Sequence, residues 1–311
     1  MDLYICLTPL QTLIAEKIKQ KKDADAQLFY FFAKDNEVNR KYYADLGKHM
    51  VESRAFFAPL KVKTFIDIYR FVRNKSFDTI YFANIDHPFI HYVLSYGNFK
   101  RIETFDDGTV NISYNGRYYN DVAQKRWKLV VHTLLRRRFD KHRILNESCL
   151  HHTIYKDRKN IIQNTQLVNL FNIDDSNHIV SNGEVSLFLG GIYSEMLSGK
   201  NHVAKLEKSI LEFLEKNNNT YYIPHPRERV MLFNGFFLPS EYDNIIAEHV
   251  IILLCKKYAK INVYGMASSV QFNMFDMPKV NCIAVKAKHI DAVTSENIAK
   301  LMAMGSPCIE I

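Results

Sequence analysis

Short apolar runs alternate with amphipathic segments along most of this sequence, and that alternation limits the fold more than any other feature. Residues 3–7, 27–32, 55–58, 79–83 and 102–105 have strand character. Between them, Leu10, Leu13, Ile14 and Ile18 recur at helical spacing, as do Phe65, Ile68, Tyr69 and Val72. Residues 39–46 and 87–96 are also predicted helices. Thr8-Pro9-Leu10-Gln11 carries the signals of a helix start: an N-cap Thr, Pro at the first helical position and Gln closing a capping box. Strands separated by helices predict an α/β fold with a parallel, doubly wound sheet.

The pattern pauses at residues 172–183, where Asp174-Asp175-Ser176-Asn177 and Ser181-Asn182-Gly183 have linker chemistry. It then resumes. A strand over 185–189 runs into Gly190-Gly191, and a helix is predicted over 202–216. A strand over 220–223 runs into Pro224-His225-Pro226-Arg227. A helix over 245–258 precedes a strand over 261–264, which leads into Gly265-Met266-Ala267-Ser268-Ser269. We therefore expect two Rossmann-type domains, residues 1–180 and 181–311. With 311 residues, 47% of them hydrophobic, each half is large enough to bury its own core.

Charge and cysteine content narrow the function classes. The formal net charge is +8, which favours an acidic partner: nucleic acid, an anionic membrane surface or a phosphorylated substrate. Cys6, Cys149, Cys255, Cys282 and Cys308 are scattered and odd in number, as expected of reduced thiols in a cytosolic protein. The first apolar run is too short for a signal peptide or a membrane span.

Residues 124–143 break the α/β rhythm. Lys125, Arg126, Lys128, Arg136, Arg137, Arg138, Lys141 and Arg143 are interleaved with Leu129, Val130, Val131, Leu134, Leu135, Phe139 and the sole tryptophan, Trp127. Two readings stand side by side: a solvated helix whose apolar side covers a core, or a basic amphipathic helix lying on an anionic bilayer.

Candidate chemistry lies at the ends of strands, where open α/β sheets place their ligands. The strand over 102–105 ends in Asp106-Asp107-Gly108, which puts two carboxylates there and a glycine that lets the backbone turn sharply. An ordinary Asp-Gly turn has the same sequence. Successive side chains on a strand alternate sides, so one carboxylate should face a ligand and the other should hold the turn. His225, set between two prolines, can hydrogen-bond a phosphate or protonate a leaving group, and Arg227 and Arg229 add anion-binding capacity. His87-Pro88 repeats the dipeptide after a strand in the first half, with Asn84 and Asp86 just before it. Ser268 and Ser269 stand where a helix begins and suit either an anion site or an ordinary N-cap. Glu248 could accept from a ribose diol or simply face solvent. Asp106, Asp107 and a His could bind a divalent ion, although their spacing does not demand one.

Taken in order, Asp106-Asp107-Gly108, His225-Pro226 and Ser268-Ser269 resemble the three short motifs of bacterial sialyltransferases. Phe105-Asp106-Asp107-Gly108-Thr109 is similar to the lipooligosaccharide sialyltransferases of glycosyltransferase family 52. So are His152-Thr153-Ile154-Tyr155-Lys156, Lys159-Asn160-Ile161, Pro224-His225-Pro226-Arg227 and the opening Leu7-Thr8-Pro9-Leu10-Gln11. The resemblance implies a GT-B-like arrangement of two Rossmann-type domains facing a cleft, with acceptor chemistry in the first domain and CMP binding in the second. It implies inverting transfer of sialic acid from CMP-sialic acid to a terminal galactose, with no metal and no cofactor beyond the donor.

By the same analogy Asp107 deprotonates the acceptor, Asp106 supports it, and Asn84, Asp86 and His87 lie on the acceptor side. His225, Pro226, Arg227, Glu248, Gly265, Ser268 and Ser269 hold CMP. The enzyme would sit in the cytoplasm, peripheral on the inner face of the inner membrane, possible homodimers included. One turn departs from the pattern L-G-x-P-D-x-E-M found in some members. It runs Leu189-Gly190-Gly191-Ile192-Tyr193-Ser194-Glu195-Met196, with Tyr193 in place of the Asp, which makes Glu195 an alternative base. Other donors such as a glucose nucleotide, and a non-catalytic nucleic-acid-binding module, are the competing readings; the sequence contains no recognised nucleic-acid motif.

Overall fold

The computed structural model describes residues 1–121, 126–171, 183–217, 219–228 and 232–311. The chain forms two compact units, Met1–Leu170 and Phe171–Ile311. The expected boundary at 180/181 and the linker before Gly183 fall outside the described residues.

The first unit contains β1 (Asp2–Cys6), α1 (Pro9–Gln20), β2 (Ala26–Phe32), α2 (Glu37–Gly47), β3 (Glu52–Phe57), α3 (Val62–Val72), β4 (Ser76–Phe82), α4 (Pro88–Tyr96) and β5 (Asn98–Phe105), followed by α5 (Arg126–Leu134), α6 (Lys141–Glu147), β6 (Ser148–Thr153) and β7 (Thr165–Leu167). Its sheet has seven strands in the order β3-β2-β1-β4-β5-β6-β7, every neighbouring pair parallel. β1 and β2 are buried along their whole length, as strands covered on both faces must be. That explains why they are continuous apolar runs with no alternation. α1 starts as expected: Pro9 opens it and the Thr8 side chain accepts from the Gln11 N–H. A phenylalanine-rich core joins Leu3, Ile5, Phe29, Ile68, Ile80 and Phe89. The strand order reverses at β1/β4, which leaves a crevice site at the carboxyl ends of these strands.

The basic segment is not one helix over 124–143. α5 ends at Leu134, the chain turns through Arg136 in the left-handed region (φ 49), and α6 starts at Lys141 under an Asp140 cap. The cause lies on α4. The Arg138 guanidinium donates to the Ser95 carbonyl, the Arg138 and Phe139 N–H groups both donate to Ser95 Oγ, and Tyr96 donates to the Leu135 carbonyl. Arg138 thus caps the C-terminus of α4, where carbonyls lack helical partners. Phe139 and Ile144 enter the core, while Val130 (60%) and Leu134 (76%) stay exposed. The core-covering reading describes Phe139 and Ile144.

The second unit contains β8 (Glu184–Leu189), α7 (Tyr193–Met196), α8 (Val203–Lys216), β9 (Thr220–Ile223), α9 (Ala247–Lys257), β10 (Lys260–Gly265), α10 (Ser269–Met274), β11 (Val280–Lys286), α11 (Ala292–Ala303) and β12 (Cys308–Glu310). Its five parallel strands run β12-β11-β10-β8-β9. Phe188, Leu206, Ile210, Leu214 and Tyr222 form its core. Here the order reverses at β8/β10. The expected α/β architecture, two parallel Rossmann-type sheets, is the observed one.

Candidate functional site

In the first unit the two adjacent carboxylates divide their work as strand alternation requires. Asp106 is fully buried. It accepts from His151 Nε2 (2.9 Å), Thr153 Oγ1 (2.7 Å), the Ile154 N–H (2.7 Å) and Asn160 Nδ2 (3.0 Å), which ties β5 to β6 and the loop beyond. His151 is held in turn by Thr104 Oγ1 at 2.8 Å. Asp107 points the other way, toward the β1/β4 crossover. It accepts from Gln11 Nε2 (2.5 Å), Tyr118 OH (2.7 Å) and Arg117 Nη2 (3.3 Å), while its own N–H donates to Asn111 Oδ1 (2.7 Å). Gln11 bridges, because its Oε1 accepts from the Leu7 N–H at the end of β1. Gly108 has φ 76, a conformation that favours glycine, and so allows this turn.

Burial raises the Asp107 carboxyl above its ordinary value, outweighing the Tyr118, Gln11 and Arg117 donors that oppose the shift. An ionised carboxylate offers about four acceptor positions, and side chains fill three of them here. Asp107 is therefore a fixed carboxylate of enhanced basicity, able to take one more donor hydrogen.

The residues expected on the acceptor side follow β4 at the same sheet edge. Asn84 is buried, and its Oδ1 accepts from the Asp86 N–H. His87 is the N-cap of α4, accepting from the Phe89 N–H, and its ring packs on Phe31. Burial depresses its pKa to about 4, so it is neutral at physiological pH. In this structure His87 acts as a cap.

In the second unit a pocket of ≈ 230 Å³ opens at the β8/β10 crossover. His225, Arg227, Ser268, Ser269, Tyr193 and Glu195 line it, over Gly190 and Gly191. His225 Nδ1 accepts from the Arg227 N–H at 3.1 Å. That bond puts the proton of the neutral ring on Nε2 as a donor. Burial, followed by the Arg227 charge, lowers the His225 pKa below the usual histidine value. Glu228 fixes the loop: its Oε2 accepts from the His225 N–H (3.0 Å) and its Oε1 from Tyr222 OH (2.8 Å), which also meets Tyr193 OH at 2.9 Å. A Cβ on Gly190 would stand 2.5 Å from both Glu228 Oε2 and Tyr222 OH, so only glycine fits there.

Ser268 follows Ala267, which holds φ 57. Gln271 secures this turn, accepting from the Ser268 N–H and donating to the carbonyls of Val263 and Ile283. Ser268 Oγ is shut off from solvent and has no hydrogen-bond partner among the described residues. Such an orphaned hydroxyl at a pocket wall is a mark of a ligand site.

Five candidates thus converge on one pocket: His225, Arg227, Ser268, Ser269 and Glu195. Gly265 ends β10 just before it, where a Cβ would crowd Gln271 Oε1 at 2.8 Å. Pro226 is exposed between His225 and Arg227. Glu248 does not line the pocket: it is buried on α9 and accepts from Asn273 Nδ2 at 2.9 Å. Arg229 lies outside the described residues. No sequence motif announces Gln11, Asn111, Tyr118, Glu228 or Gln271 as site residues: Gln11 and Tyr118 meet Asp107 only through the fold, and Asn111, Glu228 and Gln271 hold neighbours three or four positions away in turns that resemble ordinary ones.

The profile of glycosyltransferase family 52 matches residues 17–289. A Pasteurella multocida protein named CMP-N-acetylneuraminate:beta-galactoside alpha-2,3-sialyltransferase is 31% identical over 94% of this chain and 92% of its own length. An N-acetyllactosaminide alpha-2,3-sialyltransferase of Haemophilus influenzae is 29% identical over 90% of each chain. Its namesake in Neisseria meningitidis is 26% identical over 92% of this chain and 78% of that one. On this evidence the chain belongs to glycosyltransferase family 52.

Proposed function

We propose that this protein is an inverting sialyltransferase that moves sialic acid from CMP-sialic acid to a terminal galactose of a lipooligosaccharide-type glycan, by α-2,3 linkage. One observation carries the reading: a crossover pocket gathers a histidine N–H donor, an arginine and an orphaned serine hydroxyl. These groups suit a phosphate monoanion next to an acidic sugar. All three relatives are named as sialyltransferases, which supports neither the glucose-donor nor the nucleic-acid alternative.

In this mechanism the acceptor hydroxyl oxygen forms a bond to the anomeric carbon as the bond from that carbon to the phosphate oxygen breaks. The hydroxyl proton passes to Asp107. CMP departs with the electron pair, and its charge is met by His225 Nε2–H and the Ser268 and Ser269 hydroxyls. Asp106 and its partners keep β5 rigid behind the base. In this mechanism these hydrogen-bond donors, rather than a metal, stabilise the leaving phosphate. The test is CMP release from CMP-sialic acid with and without a lactose-like acceptor, in buffer containing EDTA. Acceptor-stimulated release supports the assignment, whereas strict dependence on a divalent ion or no CMP binding overturns it.

We also propose peripheral contact with an anionic membrane on the cytoplasmic side. No described helix is long and apolar enough to cross a bilayer. Side by side on α3, α4 and α5, Phe65 packs on Tyr92, Tyr69 on Tyr96, and Tyr92 OH bonds His132. α3 exposes Val62, Ile66 and Tyr69, with exposed Lys61, Lys63 and Arg70 adjoining them in sequence, and α5 exposes Val130 and Leu134, with exposed Arg136 just beyond its end. An apolar strip with a cationic rim suits anionic lipid, at about 1 kcal/mol per basic residue near the surface. Changing Arg136 and Arg137 to Gln, with the capping Arg138 kept, should weaken vesicle binding. Unchanged binding, or burial of this face in a homodimer, counts against it.

A further inference from the structure

Resting on that proposed function, we infer that Arg227 is the subsite for the carboxylate of the donor sugar, and that Glu195 stands in for this carboxylate in the structure. Arg227 holds Glu195 side-on, Nη1 to Oε1 at 3.0 Å and Nη2 to Oε2 at 2.8 Å. Two parallel bonds from one guanidinium are how arginine recognises a planar carboxylate. Both side chains line the crossover pocket, so a fork already shaped for a carboxylate faces the ligand space.

Location selects the sugar carboxylate over the phosphate. In a sialic acid nucleotide, the carboxylate and the phosphate ester share the anomeric carbon, so the two anions are neighbours. Arg227 adjoins the phosphate donor, since its N–H is bonded to His225 Nδ1. His225 Nε2–H and Ser268 already answer the phosphate, while Arg227 has a carboxylate as its partner. Glu195 and Arg227 are 57% and 56% exposed. An ion pair so exposed adds little to stability and exchanges readily. Exchange would also release Glu195 from its only ion pair among the described residues. The alternative base is therefore engaged until the donor carboxylate takes the fork.

The assignment separates two ligands that differ by the sugar. Calorimetry on the full chain would compare CMP with CMP-sialic acid, without acceptor, for the wild type, Arg227→Gln and Glu195→Gln. Arg227→Gln should lose about 10- to 100-fold in affinity for CMP-sialic acid, the scale of charge-assisted hydrogen bonds, and change CMP affinity less than about twofold. Retained CMP binding also shows that the variant is folded. Glu195→Gln, which weakens the competitor, should bind CMP-sialic acid more tightly and CMP as before. Equal loss of both ligands in Arg227→Gln would put the arginine on the phosphate and overturn the subsite alone, as would unchanged affinity for both. A wild type that binds neither ligand would remove the sialyltransferase reading itself.

Discussion

The two candidate edges of this protein are built on the same plan and finished differently. Both lie at the carboxyl ends of parallel strands, where the strand order reverses. At the edge of the first unit the two carboxylates are answered from within the chain: Asp106 has four donors and Asp107 three. In the second unit Ser268 Oγ has no partner among the described residues, Ala267 sits in the left-handed region, and a guanidinium is paired with an exposed carboxylate. Under the proposed function, the contrast is a division of work. A base must be rigid before its substrate arrives, because positioning accounts for much of its effect. A donor site must instead leave hydrogen-bonding capacity for the ligand.

The sharpest test is Asp107→Asn, which should lower turnover roughly 10²–10⁴-fold, the range for a positioned base, and leave CMP affinity unchanged. Wild-type turnover in this variant, together with an inactive Glu195→Gln, would move the base to the second unit. Because burial raises the Asp107 carboxyl, the folded state takes up its proton more readily than the unfolded chain. Its ionised form therefore costs stability once pH rises through the raised value. Asp107→Asn should accordingly be more stable than wild type to urea at neutral pH and equal to it in acid. The acid limb of turnover should lie above the ordinary aspartate range.

Asp106→Ala should do the opposite. It strands four donors in the core and should cost about 3–5 kcal/mol in urea unfolding, as when a buried paired charge loses its partner. A loss below 1 kcal/mol would mean that the edge is less tightly built than its geometry shows.

Ser268→Ala is the matching change in the second unit. It removes a hydroxyl with no internal partner, so stability should hold, and CMP affinity should fall about tenfold, one charged hydrogen bond. Destabilisation without loss of CMP would make Ser268 a structural residue.

The smallest effect is in pH. Burial, followed by the Arg227 charge, lowers the His225 pKa, which favours the neutral ring, and the proposed function has it meet phosphate as an N–H donor. Acidification through its depressed pKa adds a charge. CMP affinity of the wild type relative to His225→Ala should then rise as pH falls through the depressed His225 value, with protonation of CMP itself cancelling in the ratio. The same shift means that the His225 contribution to stability is present above the unfolded value and is lost as pH falls through the folded one.

Much of this was legible in residue order. The alternation of runs fixed the class, and Asp106 and Asp107 separated as strand geometry requires. The motif residues Thr153 and Asn160 turned out to be partners of Asp106 itself. Partners that span the fold were not legible. Gln11 reaches Asp107 across 96 positions, and His151 reaches Asp106 across 45. β6 has no apolar signature, because its buried positions are His151, His152 and Thr153, whose polarity hides a buried strand. The end of α5 was hidden likewise, since no local signal announces that Ser95 will hold Arg138 and Phe139.

The strand orders also bear on synthesis. In each unit the first strand made, β1 or β8, ends up inside the sheet, and every later strand joins an edge already present. No strand has to be inserted between two that are already paired. Each sheet can therefore grow outward as the chain leaves the ribosome, although parallel pairing makes every step wait for a crossover segment. Until β4 emerges, β1 carries an open edge that is apolar from Leu3 to Cys6. A pause in translation between β3 and β4 is thus the interval in which the nascent protein is most exposed to aggregation.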